Sequence, residues 1–341
     1  MFHQTRFPPV LATRARSRPA PATAACDARL PARAFGLIKG LDGSKVRIVK
    51  SEPIRWTRDF LGNKCPCGSG NISDSCCWRG DGCWEKTPVG KLAVTETAIV
   101  NPSCYLSCMF NCSSKITKEH FISRNILEKI TKDTLKFENA GHFFGGKSNV
   151  EIGIDGFSSK VLCDNHNSVL SPLDSAAGAA FERIEELTKD LILADKGYTL
   201  NSFHVVSGID IERWMIKVFC GLMAAGKIRS NSDRIEQLSS LPHELLEALM
   251  GVTLLQPPLG LYMHAFVGQI RKSGLSFGTI QLTDGSDQVG GLLLSLGVMN
   301  LVLVTSQRYA QTFNEPSWFR HQTLAWNAKH KGSRIRILFT Y

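Results

Sequence analysis

Apolar positions recur with helical or strand period along much of the chain. Val169, Leu173, Ala177, Ala180, Ile184, Leu187 and Leu191 are spaced 4-4-3-4-3-4, which predicts an amphipathic helix. Ser171 suits its N-cap, Pro172 its first position and Asp174 its first turn. A second helix is predicted over 209–225, where Ile211, Trp214, Met215, Val218, Phe219, Leu222 and Met223 share one face. That stripe is core packing, and a third, shorter helix is predicted over 242–250. Strands are predicted at 45–49, within a hairpin in 36–62, and at 91–100 and 116–122. Two more, 150–154 and 159–162, follow a turn rich in glycine (Gly141, Gly145, Gly146). From 259 onward the period becomes that of strands: 261–267, 275–282, 291–296, 301–305 and 335–341. This last third reads as an α+β domain with an antiparallel sheet, and it shows no catalytic constellation.

At 341 residues the chain has room for two or three domains. Half of its net charge of +10 lies in the first 35 residues. Arg6, Arg14, Arg16, Arg18, Arg29 and Arg33 stand against Asp27 alone. Residues 1–35, rich in Arg, Pro and Ala, cannot build a core and read as a disordered basic tail; the same composition mimics an organellar transit peptide. The basic balance permits a polyanionic partner. The longest apolar run, 289–304, is broken by glycines and Asn300 and is short for a bilayer, so no membrane span is expected. Several of the 11 cysteines fall in C-x-C, CC and C-x3-C spacings. Such tight spacings suit one metal ion better than disulfides and point to a reducing, cytoplasmic compartment. Cys26, Cys83 and Cys220 have no paired spacing, and Cys220 reads as a small core residue.

The first cysteine group is Cys65-Pro66-Cys67-Gly68-Ser69-Gly70, closed by Cys76-Cys77. Four thiolates can surround one tetrahedral zinc ion, with Gly68 and Gly70 letting the backbone fold around it. These thirteen residues resemble the SEC-C motif. The resemblance implies a zinc-stabilised miniature fold that recruits a protein partner, and an inert zinc staple is the alternative.

The second group comprises Cys108 and Cys112, then Glu119-His120, then Cys163-Asp164-Asn165-His166-Asn167. Two short-spaced ligand pairs some fifty residues apart can clamp distant strands together. Cys104 can stand in for Cys108, since both precede Cys112. A phosphodiester hydrolase needs a base for water and a divalent cation at the phosphate. His120 suits the first task, and the side-chain oxygens of Glu119 and Asn167 suit Mg²⁺ or Mn²⁺.

Residues 104–190 resemble the HNH endonuclease family, with its ββα-metal fold, in the version whose "[DE]H" strand precedes a "C-x2-[CH]-N" turn. Leu162-Cys163-Asp164-Asn165-His166-Asn167 followed by Leu170-Ser171-Pro172-Leu173-Asp174 carries the likeness. It implies His120 as general base, Glu119 and Asn167 on a catalytic Mg²⁺ or Mn²⁺, and Cys108, Cys112, Cys163 and His166 on structural zinc. A subset of the family has serine where Glu119 stands. His142, in the glycine-rich turn, is a further candidate contact.

The expected architecture is therefore α+β and multidomain. It comprises a basic tail (1–35), a SEC-C-like knuckle with linker (36–100), an HNH domain (101–198) and a C-terminal α+β domain of unknown role (199–341). The expected function is metal-dependent endonuclease action on nucleic acid, DNA favoured. A non-enzymatic zinc adaptor that recruits protein or nucleic acid is the competing expectation.

Overall fold

The helical stripe that begins at Val169 belongs to a helix that starts earlier than the sequence suggests. In the computed structural model it runs Asp164–Asp195, with Cys163 as N-cap and Pro172 inside it. The Cys163 thiol takes the His166 N–H, so the turn that pairs these two residues also starts the helix. Ser171 is thus an interior residue, and the ring of Pro172 costs the helix one N–H.

Residues 37–39, 45–47, 55–80, 82–137, 149–228, 241–264, 275–281, 289–307, 317–320, 323–326 and 332–341 are described. The expected tail, Cys26, His142 and the glycine-rich turn lie outside them. In chain order the strands and helices are β1 (Leu37–Lys39), β2 (Lys45–Arg47), β3 (Trp78–Gly80), β4 (Cys83–Trp84), β5 (Ile116–His120), α1 (Arg124–Ile130), β6 (Thr134–Phe137), β7 (Val150–Gly153), β8 (Ser158–Cys163) and α2 (Asp164–Asp195). Then come β9 (Asn201–Ser207), α3 (Gly208–Ala224), α4 (His243–Leu249), β10 (Gly260–His264), β11 (Leu275–Gln281), β12 (Val289–Leu296), β13 (Met299–Val304), β14 (Ser317–Phe319), β15 (Thr323–Trp326) and β16 (Arg334–Thr340).

The fold is mixed α+β. β1–β2, β3–β4, β5–β8 and β6–β7 are small antiparallel pairs, and β11-β12-β13-β10-β14 is an antiparallel sheet of five. The third strand set differs from the expected antiparallel pattern. β16 pairs antiparallel with β15 but parallel with β9, a strand the periodicity did not announce. Its burial explains the miss: Phe203 to Ser207 are all buried, so the segment lacks in–out alternation. Residues 91–100 form no strand. Their hydrogen bonds go sideways instead, Leu92 N–H to the Met250 carbonyl and Thr97 Oγ1 to the Cys112 carbonyl.

One hydrophobic core runs from Leu92 through Leu162, Leu187, Trp214 and Leu301 to Phe339, on both sides of residue 198. α3 lies at its centre and is buried on every side from Asp210 to Met223. The expected apolar face is there, and the remaining positions, charged ones included, are enclosed too. A smaller cluster joins Cys65, Cys67, Cys77 and Trp84 to Phe203 and Val205 of β9. The Phe203 ring lies 5.6 Å from Phe60 and 5.3 Å from Trp84. The Val205 N–H reaches the Pro66 carbonyl at 3.3 Å. The first cysteine group is thereby docked on the β15-β16-β9 sheet. Phe203→Ala should cost about 3–5 kcal/mol in denaturant unfolding, the usual loss for an emptied aromatic site.

Candidate metal centres and the His120 face

The cysteine loop at 65–77 closes on itself by short-range bonds. The Cys65 N–H donates to the Asn71 carbonyl at 2.7 Å, and the Gly68 N–H to the Cys65 carbonyl at 3.0 Å. Gly68 and Gly70 both have φ of +79°, which an L side chain resists. A Cβ on Gly68 would also fall 2.7 Å from the Arg183 guanidinium of α2. The four sulfurs of Cys65, Cys67, Cys76 and Cys77 lie within 4.8 Å of one another. Cys67 and Cys76 are 3.6 Å apart and Cys76 and Cys77 3.8 Å. Sulfurs around a tetrahedral zinc with bonds of about 2.3 Å stand about 3.8 Å apart. Lys86 Nζ, 3.5 Å from Cys67 Sγ, supplies a nearby positive charge. Hydrogen bonding with Cys65 holds the Cys67 thiol far below its ordinary value, and Cys65 is pushed up to about 11, mainly by the same bond. The cluster can hold a metal ion, and its donor set fits a zinc knuckle.

The second cluster consists of Cys104, Cys112, Cys163 and His166, again within 4.8 Å and all buried. His166 Nδ1 faces the three sulfurs at 3.5, 3.7 and 3.1 Å respectively. Burial lowers the His166 pKa, so the ring is the neutral base that a metal requires. Cys108 takes no part: it is exposed in the short turn Ser107–Met109. The cause is local. The Tyr105 N–H bonds the Val161 carbonyl at 3.0 Å, which draws Cys104 against β8. The following turn carries Cys108 outward, and Phe110 and Asn111, at φ of 60° and 59°, return the chain to Cys112. Asn165 Nδ2 fixes that return by donating to the Asn111 carbonyl at 2.8 Å. This cluster, too, can hold a metal ion and is consistent with a zinc site.

β5 and β8 pair beside this cluster, and α2 follows β8 directly. Glu119 and His120 are adjacent on β5 and so leave it on opposite faces. His120 is half-buried, with 20% of its side chain exposed and Nε2 3.5 Å from Asp155 Oδ1. Burial lowers its pKa against the opposing pull of Asp155, which keeps the imidazole neutral near pH 7. Asn167 donates from Nδ2 to Thr117 Oγ1 at 3.0 Å and to the Lys118 carbonyl at 3.2 Å, tying the start of α2 to β5.

Glu119 points inward, only 5% exposed, and is ion-paired with Lys217 of α3. Lys217 Nζ also meets both oxygens of Asp174 at 2.6 Å. Ser123 Oγ donates to Asp174 Oδ1 at 2.5 Å and accepts from Trp214 Nε1 at 2.7 Å. Burial pushes the Glu119 carboxyl up to about 7, against the pull of Lys217. Glu119 is thus committed to a buried lysine, and the Asn167 side chain to Thr117 and the Lys118 carbonyl. The sequence reading missed Lys217 and Asp155. A lone lysine amid the apolar run from Trp214 to Met223 was the available signal for the first; Asp155 had none.

Comparison with protein-family profiles, with curated proteins and with solved structures gives no match.

Cys104→Ser should lower the zinc content of purified protein by one ion per chain while Cys108→Ser leaves it unchanged, as read by elemental analysis. Lys217→Met leaves the buried Glu119 and the part-buried Asp174 carboxylates without their cation and should cost about 3–5 kcal/mol in denaturant unfolding. Glu119→Gln keeps the Lys217–Asp174 pair and should cost no more than about 1 kcal/mol by the same measurement.

Proposed function

We propose that the chain is a zinc-stapled nuclease that hydrolyses phosphodiester bonds of nucleic acid, DNA favoured, with His120 as general base. The observation that carries this reading is the placement of a neutral, partly exposed imidazole at the end of β5, next to an α2 start held by the Cys104, Cys112, Cys163 and His166 cluster. Both clusters hold zinc in this account, with four protein ligands each and therefore no open position for chemistry. The pairing of β5 with β8, which α2 follows directly, with a "[DE]H" on β5 and an "HN" in the first turn of α2, supports the HNH resemblance. Asp155 faces His120 Nε2 and orients the ring. His120 takes the proton of a water whose oxygen attacks phosphorus as the P–O bond to the leaving oxygen breaks. A divalent ion, when bound, supplies charge stabilisation at the phosphate. No step is routed through Glu119 or Asn167.

The second reading, a zinc-stapled binding module without catalysis, is favoured by one observation: the acidic ligand expected beside His120 is paired inside with Lys217. A plasmid-nicking assay in Mg²⁺ or Mn²⁺ separates the two. The nuclease reading expects wild-type nicking that falls by ~10²–10⁴-fold in His120→Ala, at unchanged zinc content. Activity should rise with pH through a midpoint below the usual histidine value of about 6.5, because the base must be unprotonated and burial depresses its pKa. Glu119→Gln should nick as wild type does. Absence of nicking in every metal leaves the binding module as the function.

A further inference from the structure

The two-stranded β5–β8 pair carries two lysines face to face. Lys118 and Lys160 are direct partners in the antiparallel register. Their side chains therefore leave the same face with Cβ atoms about 5 Å apart. Both are exposed, and among the described residues neither makes an ion pair. The nearby carboxylates are engaged elsewhere: Asp164 with Lys115, Asp155 with Arg124 and His120, and Glu119 inward with Lys217. Like charges directly opposite destabilise a strand pair. Here a shift of register produces that arrangement: Thr117 pairs with Leu162 and Lys118 with Lys160, so Val161 is passed over. With no shift Lys118 would face a buried valine position. The alternation of β5 places His120, with Ser158 opposite it, on the same face two residues further on. That is about 7 Å along the strand.

We infer that Lys118 and Lys160 form the contact for the nucleic-acid backbone beside the phosphate at His120. The inference rests on the reading that nucleic acid is the substrate, and it names the residues that hold it. A row of closely spaced anions is the partner that turns this unneutralised pair from a liability into a binding element. The lysines hold phosphates and read no base.

The test uses full-length His120→Ala protein, fluorescein-labelled 20-base-pair duplex DNA and fluorescence anisotropy over a range of KCl. Lys118→Gln/Lys160→Gln should bind on the order of 50-fold more weakly at 0.1 M salt, with a salt slope shallower by about 2. Zinc content should be unchanged and the thermal midpoint equal or higher, since a repulsion is removed. A control with the same loss of charge, Lys189→Gln/Lys196→Gln, should keep most of the affinity. Equal loss in the control, an unchanged slope in the Lys118/Lys160 variant, or no binding by the His120→Ala protein overturns the inference. Because binding is read in a variant without the base, a wild type that fails to nick DNA leaves the backbone contact standing. Unchanged affinity in the lysine variant removes the contact and leaves cleavage at His120 standing.

Discussion

Four side chains from three separate stretches must meet at one point: Cys104, Cys112, Cys163 and His166. Much of the local structure follows from that convergence. It brings the loop 104–112 against β8, and it starts α2 at Asp164, because Cys163 serves as cluster member and N-cap at once. The loop bends through two residues of positive φ to return to the cluster. Such strain persists only where the surroundings over-determine it, and a buried cluster of three thiols and one imidazole is such a surrounding. Once α2 is fixed, Asn167 ties it to β5, and the end of β5 presents His120.

A second constraint acts from the far side of the core. α3 is enclosed all round yet carries Glu212, Arg213 and Lys217. Each is matched: Glu212 with Arg320, Arg213 with the carbonyls of Leu249, Val89 and Gly90, and Lys217 with Glu119 and Asp174. Charges so buried are costly when one partner is removed, so these pairs fix how α3 sits against β5 and α2. The face that presents His120 is thus held by the cluster at one end and by a residue more than fifty positions beyond it at the other. The docking of the 65–77 loop on β9, through Phe203 and Val205, adds a third anchor to the same body.

The parts of this arrangement written in short spacings were legible in the chain. The pairs at 65/67 and 76/77 and the i, i+3 pair Cys163–His166 each announce a ligand set, because one metal ion gathers near neighbours. The helical stripes from Val169 and Ile211 announced α2 and α3, since burial of one face imposes the 3.6-residue period. What depends on distant contacts was not legible. Whether Cys104 or Cys108 faces the cluster is decided by the backbone bond from Tyr105 to Val161. The fate of Glu119 is decided by Lys217, which no local pattern links to β5. β9 hides its strand character because both of its faces are covered.

The two clusters would give two ions unlike surroundings, one among four sulfurs and one among three sulfurs and a nitrogen. Zinc X-ray absorption on the purified wild-type protein reads that most directly. Two zinc ions per chain are expected, with an average first shell of seven sulfurs to one nitrogen, at about 2.3 and 2.0 Å. A single ion, or a shell rich in oxygen, would contradict this.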